Sequence, residues 1–198
     1  MKLFRALVGS ALVLAFVQNV AAGDVFDIDR GHSYVGFSVK HMMVAKVRGE
    51  FTDFSGKIEY DAENVENSSV SAVIKTASIT TESKRRDDHL KNPDFFDVEN
   101  YPEIKFESTS VKKRDDGFIA VGNLTIRDVT KQVEIPFEVL GVVETARGKR
   151  MGIEAVFTIN RQDYNVKWSR AMDNGGVVVS DEVKIEINLE ARGPSKEE

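Results

Sequence analysis

Cysteine is absent from this chain of 198 residues, tryptophan occurs once, histidine three times and proline four times. Without cysteine there is no disulfide, no thiolate ligand for a metal and no thiol near the N-terminus for lipid attachment. A domain of this length can bury an adequate core without covalent staples, so the absence does not argue against an oxidising compartment. His32, His41 and His89 are never spaced i, i+4, and an apparent strand separates the first two. No metal site is expected from that pattern, and structural hydrogen bonds at strand ends are. Catalytic signatures are missing as well. There is no G-x-S-x-G turn, and the one S-x-x-K, from Ser110 to Lys113, lies in a strand without its partner motifs.

Long hydrophobic runs are also scarce, and the one present is at the start. Lys2 and Arg5 precede an uncharged apolar stretch from Ala6 to Val17, and Val20-Ala21-Ala22 closes it with small residues. This three-part pattern predicts a secretory signal peptide over residues 1–22, cleaved after Ala22, with a periplasmic location or, alternatively, secretion. The apolar stretch is too short to span a bilayer comfortably. The whole chain carries a formal charge of −5, which becomes −7 once Lys2 and Arg5 are removed. Such acidity disfavours nucleic acid and anionic membrane, both of which attract basic patches, and no stable membrane insertion is expected.

What the sequence does contain is alternation. Val35, Phe37 and Val39 alternate with Gly36, Ser38 and Lys40, and the pattern resumes in Val47, Gly49, Phe51 and in Ile58, Tyr60. Val133, Ile135, Phe137, Val139, Gly141 and Val143 fill every second position of one row, and Ile153, Ala155, Phe157 and Ile159 of another. Val183, Ile185, Ile187 and Leu189 form one more, while Ile104 and Phe106 open a further row. A period of two predicts strands with one apolar and one solvated face. Asp115-Asp116-Gly117, Arg127-Asp128 and Ala146-Arg147-Gly148 are the turn signals between rows, so neighbouring strands should be antiparallel. Pro136 suggests an edge or a bulge.

One stretch breaks this period. Thr80 to Leu90 is polar and predicts a short helix near Ser83 to Leu90, stopped by Asn92-Pro93. Adjacent Phe95 and Phe96 cannot both point inward from a strand, so one of them is expected to cap an end of the fold. Residues 23–192 read as one domain, and 193–198 as a disordered tail. Many antiparallel strands without βαβ alternation leave two all-β architectures, a sandwich or a closed barrel. The pattern alone does not choose between them.

The stretch from Asp27 to Tyr60, with its D-I-D-R-G-H-S-Y-V-G-F-S-V-K-H-M opening, resembles the YceI-like family. The likeness continues in Ser78-Ile79-Thr80-Thr81, Arg86-Asp87-Asp88-His89-Leu90, Phe95-Phe96-Asp97 and Tyr101-Pro102-Glu103-Ile104-Lys105-Phe106. It runs on through Gly122-Asn123-Leu124-Thr125-Ile126, Val129-Thr130-Lys131, Arg161-Gln162-Asp163-Tyr164, Trp168 and Asp181-Glu182-Val183. Two departures put Asp128 and Asn165 where that family usually has glycine. Both residue types tolerate a left-handed backbone, so a turn is preserved. The resemblance implies an all-β, antiparallel, lipocalin-like β-barrel with a short helix between strands, and a secreted binding protein for polyisoprenoids or related lipids.

An eight-stranded barrel has room for side chains or for one small ligand. The inward set is Val35, Phe37, Phe51, Ile104, Phe106, Phe137, Phe157, Trp168 and Leu189. From the residues alone these read more readily as a filled core. The resemblance reverses that reading and implies a cavity holding a long-chain isoprenoid lipid, such as a polyisoprenoid or a prenyl quinone, with no other cofactor. Each five-carbon unit buried contributes about 4 kcal/mol before ordering costs, at roughly 0.8 kcal/mol per CH₂. Lys84, Arg85 and Arg86 are candidates to hold a headgroup at the mouth, against the plainer reading of a solvated charge run, and His41 at a strand end is a candidate to line the entrance. The resemblance also makes a homodimer plausible.

Two other function classes stay open at this level. A hydrolase built on His32-Ser33 is disfavoured, because neighbouring residues of a strand face opposite ways. A structural or interaction protein with a filled core is the second; a dry, packed interior would support it.

Overall fold

The computed structural model describes residues 23–173 and 175–195. The expected signal peptide and residues 196–198 of the expected tail lie outside the described residues.

Alternation becomes strand wherever it was predicted. The chain forms β1 (Asp24–Ile28), β2 (Tyr34–His41), β3 (Ala45–Phe51), β4 (Phe54–Tyr60), β5 (Ser69–Lys75) and β6 (Ile79–Thr80). After helix α1 (Lys84–Lys91) come β7 (Glu103–Arg114), β8 (Gly117–Ile126), β9 (Val129–Thr145), β10 (Gly148–Asn160) and β11 (Val179–Arg192). All pairings are antiparallel. The order β1-β4-β5-β7-β8-β9-β10-β11 returns to β1 through Asp27↔Arg192 and Ile28↔Ala191, so the sheet closes into an eight-stranded barrel.

Three of the eight staves are kinked. Both β1 and β2 run along β11, separated by a 3₁₀ turn at Arg30–His32. β3 and β4 follow one another across Thr52 and Asp53, and β5 and β6 across a 3₁₀ turn at Thr76–Ser78. Each pair acts as one long bent strand, and the connectivity is then an up-and-down meander. The bends let strands longer than the barrel is tall carry their apolar faces over its α1 end, where β2, β3 and β6 form a continuation of the wall.

Turn chemistry matches at Gly117 and Gly148, with φ of +94° and +101° after the Asp115-Asp116 and Ala146-Arg147 turns. Asn165 is left-handed (φ 59°) and ends the 3₁₀ turn Arg161–Tyr164. At the β8–β9 turn the left-handed residue is Arg127 (φ 54°), not Asp128. Its guanidinium donates to the backbone oxygens of Phe95 (2.8 Å) and Asn165 (2.9 Å), which holds it in that conformation. Asp128 instead accepts from the Asn165 side-chain amide (3.0 Å).

Bulges correct the simple alternation at two places. Leu140 is an extra residue between Val139↔Ile153 and Gly141↔Gly152, which reverses the faces beyond it, so Val143 is 59% exposed. A second shift near Thr109 turns Val111 inward on β7. Pro136 lies inside β9, paired with Ile119 of β8, and the β9–β10 ladder begins one residue later at Phe137. Proline has no N–H to give, and the partner is absent there.

Phe95 and Phe96 both pack against the main core cluster, with Phe95 buried and Phe96 edge-on to Phe51. The inward pair is possible because their loop is not a strand. Of the expected tail, Gly193 and Pro194 are tied to β10, since Gly193 N donates to Lys149 O and Lys149 N to Pro194 O.

Candidate functional site

The barrel interior holds two adjoining cavities, of about 190 Å³ and about 260 Å³. Phe37, Phe51, Ile104, Ile126, Ile159 and Ile185 line both, forming an apolar waist between them. Phe37 reaches that position because Gly49 stands opposite it in the β2–β3 register; a Cβ on Gly49 would lie 2.5 Å from the ring. The first chamber is lined by inward residues of all eight staves. Among the described residues its polar side chains are Tyr60, Ser68 and Ser69 near the β4–β5 connection and Ser55 near the start of β4, and none is charged.

The second chamber lies under α1 and the segment between β10 and β11. It adds polar groups: His41, Thr81, Arg86, His89, Arg161 and Tyr164. His89, Phe95 and Trp168 form an aromatic cluster at its side, His89 edge-on to both rings at 5.0 and 5.4 Å. His89 Nε2 also pairs with Asp94 at 3.0 Å. Arg86 Nε and Nη2 donate to the side chain and backbone of Thr81 at 2.7 and 2.9 Å, fixing this cation beside the chamber.

Arg161, only 5% exposed, organises the covering segment. It donates to the backbone oxygens of Val166 (2.7 Å), Trp168 (2.7 Å) and Ser180 (2.9 Å), and to the Asp181 carboxylate at 2.9 Å. Burial pushes its pKa down, against the charge of Asp181, and burial likewise raises that of Tyr164 beside it. With its donors spent on the protein, Arg161 is a brace, a role that sequence reading missed. Five donors in a planar fork suit it to gather several carbonyls at once.

Val35, Phe37, Phe51, Ile104, Phe106, Phe137, Phe157 and Leu189 all line the first chamber, and Trp168 the second. His41 and Arg86 line the second chamber. Lys84 and Arg85 line neither; Lys84 points into solvent and pairs with Asp88 at 2.7 Å. On a helix, Lys84, Arg85 and Arg86 are spread around the axis, so one face takes only one of them.

His32 and Ser33 are not neighbours on a strand. His32 ends the 3₁₀ turn and Ser33 follows it. Ser33 Oγ donates to Asp29 O (2.8 Å) and accepts from Glu190 N (3.0 Å), which ties it to the sheet and not to a base. Asp29, His32 and Glu190 place ligand-type atoms within 4.8 Å of one another. Arg192 bonds Asp29, and Arg150 pairs with Glu190 at 3.2 Å, so the arrangement is an ion-pair knot closing the barrel seam. Burial raises the Asp29 carboxyl, but hydrogen bonds from His32 and Arg192 outweigh it and leave the pKa below its ordinary value.

A family model, the YceI-like domain, matches residues 26–191. The chain is 36% identical over 167 residues to the UPF0312 protein plu2095 of Photorhabdus laumondii, covering 84% of this chain and 87% of that protein. Among solved structures it is similar to Burkholderia cenocepacia BcnA, with a TM-score of 0.73, 26% identity and coverage of 82% and 98%. It shares its fold with a polyisoprenoid binding domain from Saccharophagus degradans, with a TM-score of 0.62, 15% identity and coverage of 85% and 98%.

Proposed function

The chain belongs to the YceI-like family, and on that premise we propose that it is a non-catalytic carrier that holds a polyisoprenoid or related long-chain lipid inside its barrel. The observation that carries this reading is the distribution of polarity along the interior. An uncharged apolar chamber continues through an apolar waist into a chamber edged by His41, Thr81, Arg86 and His89. That gradient suits an amphiphile with its tail in the first chamber and its polar end in the second. A prenyl chain needs no special chemistry there, because burial of each CH₂ contributes roughly 0.8 kcal/mol. The Saccharophagus barrel of the same fold is itself described as a polyisoprenoid binding domain.

The reading includes export to the periplasm, on the strength of residues 1–22, with secretion as the alternative. It includes a homodimer, which sedimentation of the purified chain tests. The filled-core alternative has less support, since the middle of the barrel is open, and the hydrolase alternative lacks an available nucleophile at Ser33.

The decisive experiment is mass spectrometry of organic extracts from the protein as purified, followed by titration with a prenyl quinone. Recovery of one isoprenoid class with saturable uptake is expected. Clean extracts together with no uptake would remove the carrier reading.

A further inference from the structure

The β2–β3 hairpin has an unusual tip. Met42, Met43 and Val44 are 46, 57 and 87% exposed. Val44 N donates to His41 O at 3.2 Å, closing a turn whose central residues have φ of 50° and 63°. Two successive positive φ values are the type I′ condition, which Asn-Gly meets without strain and long side chains do not. Met-Met therefore suits neither the turn nor contact with water. Beside the tip, Met42 N donates to Val178 O at 2.9 Å, and neighbouring Val177 is 36% exposed.

Charge is arranged behind this apolar tip. Lys40 and Lys46 stand directly opposite one another across the β2–β3 ladder, both exposed. Like charges so placed cost stability in the isolated protein. Neither forms an ion pair among the described residues; Lys46 does feel Glu186, whose own partner is Lys184. Arg170, whose backbone oxygen accepts from Val178 N, is also exposed at this end, again without an ion pair among the described residues. In a chain of net charge −5, this local sorting of lysine, arginine and apolar side chains, with Asp173 the exposed acid on the turn between Ala171 and Val177, runs against the whole-molecule balance.

We propose that this end of the barrel is a docking face for an anionic phospholipid bilayer. Met42, Met43, Val44 and Val177 enter the interfacial layer, and Lys40, Lys46 and Arg170 meet the lipid anions. The acidic remainder is repelled, which orients the barrel on the surface. His41 and Val178 flank the tip and line the second chamber, so a docked barrel presents its polar-edged chamber to the membrane. Docking goes beyond the carrier reading and does not depend on a lipid being held inside.

Purified full chain, freed of any leader, is sedimented at low salt with vesicles of phosphatidylcholine plus phosphatidylglycerol, and with phosphatidylcholine alone. The anionic vesicles should carry down the protein, the neutral ones far less, and added salt should release it. Lys40→Ala and Lys46→Ala should each weaken binding roughly fivefold. Met42→Asn with Met43→Gly should weaken it by about tenfold or more while leaving the thermal midpoint unchanged or higher, since that pair relaxes the turn. The proposal is overturned if the wild type stays in the supernatant with anionic vesicles. It is equally overturned if the Asn-Gly tip binds as the wild type does, or if that tip change only abolishes self-association in sedimentation velocity. Isoprenoid uptake measured on the same variants reports on the interior independently and should be unchanged.

Discussion

Arg161 Nη1 donates to the backbone oxygen of Trp168 at 2.7 Å, and the single tryptophan of the chain is thereby set against the second chamber by a cation at the end of β10. The same guanidinium holds Val166, Ser180 and Asp181. The cover of the barrel is thus strung on one buried side chain, and Trp168 reports on it.

Arg161→Lys should loosen that cover. An ammonium cannot span the four partners, and carbonyls left unpaired in a buried site are costly. A loss of about 2–4 kcal/mol is expected in denaturant titration. Trp168 emission should shift to the red before global unfolding. A variant with wild-type stability and emission would show that the brace is dispensable.

Ala155→Phe should close the first chamber from within. Ala155 is buried, lines that chamber and sits between Phe137 and Ile187 in the two ladders. Overpacking costs roughly 1–3 kcal/mol, which leaves a folded barrel to be checked by circular dichroism. Uptake of a prenyl quinone should fall by about tenfold or more, because each CH₂ displaced forfeits roughly 0.8 kcal/mol. Undiminished uptake would place the lipid outside this chamber.

The mouth cations should separate by position. Arg86→Gln should weaken a prenyl pyrophosphate by about tenfold, the worth of a lost charge-assisted hydrogen bond, and a neutral prenyl quinone far less. Lys84→Gln and Arg85→Gln should change neither, since those side chains line neither chamber. Calorimetric titration of the three variants with both ligands checks this, with the thermal midpoint recorded because Arg86 also holds Thr81.

Acid should weaken the barrel at its seam, through Asp29, and along the β5–β7 pairing, where Glu103 stands opposite Lys75. The Asp29 pKa is depressed below its ordinary 3.8, and hydrogen bonds from Lys75 and Lys105 lower Glu103 from 4.5 to about 2. A depressed carboxylate stabilises the fold above its unfolded pKa and loses that contribution as pH falls through its folded value. Stability should therefore hold from neutrality down to about pH 4.5 and decline from there towards pH 2. Asp29→Asn should lower stability at pH 7 by about 1–2 kcal/mol, a modest figure because Arg192 is half exposed, and should flatten the acid decline. Thermal melts from pH 7 to pH 2 measure both.

Where a side chain's partner lies within its own strand, the sequence was a sufficient guide. The rows Ile153 to Ile159 and Val183 to Leu189 face inward as their period demands. Val143 does not, because the bulge at Leu140 depends on the fit of β9 to β10 and leaves no mark in β9 alone. Arg86 was legible as a candidate, but its separation from Lys84 and Arg85 required the orientation of α1. Arg161 stood in the Arg161-Gln162-Asp163-Tyr164 motif, but its bracing role gave no signal, since its partners are the Asp181 carboxylate and backbone oxygens from residues 166 to 180, brought together only by the fold.

Local periodicity, turn residues and the YceI-like motifs determined that this chain is an antiparallel barrel with one short helix, because a period of two and tight turns are properties of neighbouring residues. The tertiary structure decided that the barrel is hollow, pinched at a waist and lined by cationic side chains towards one end. Those features depend on how side chains from eight bent staves meet across the axis, and no row of residues records the distance to the opposite wall.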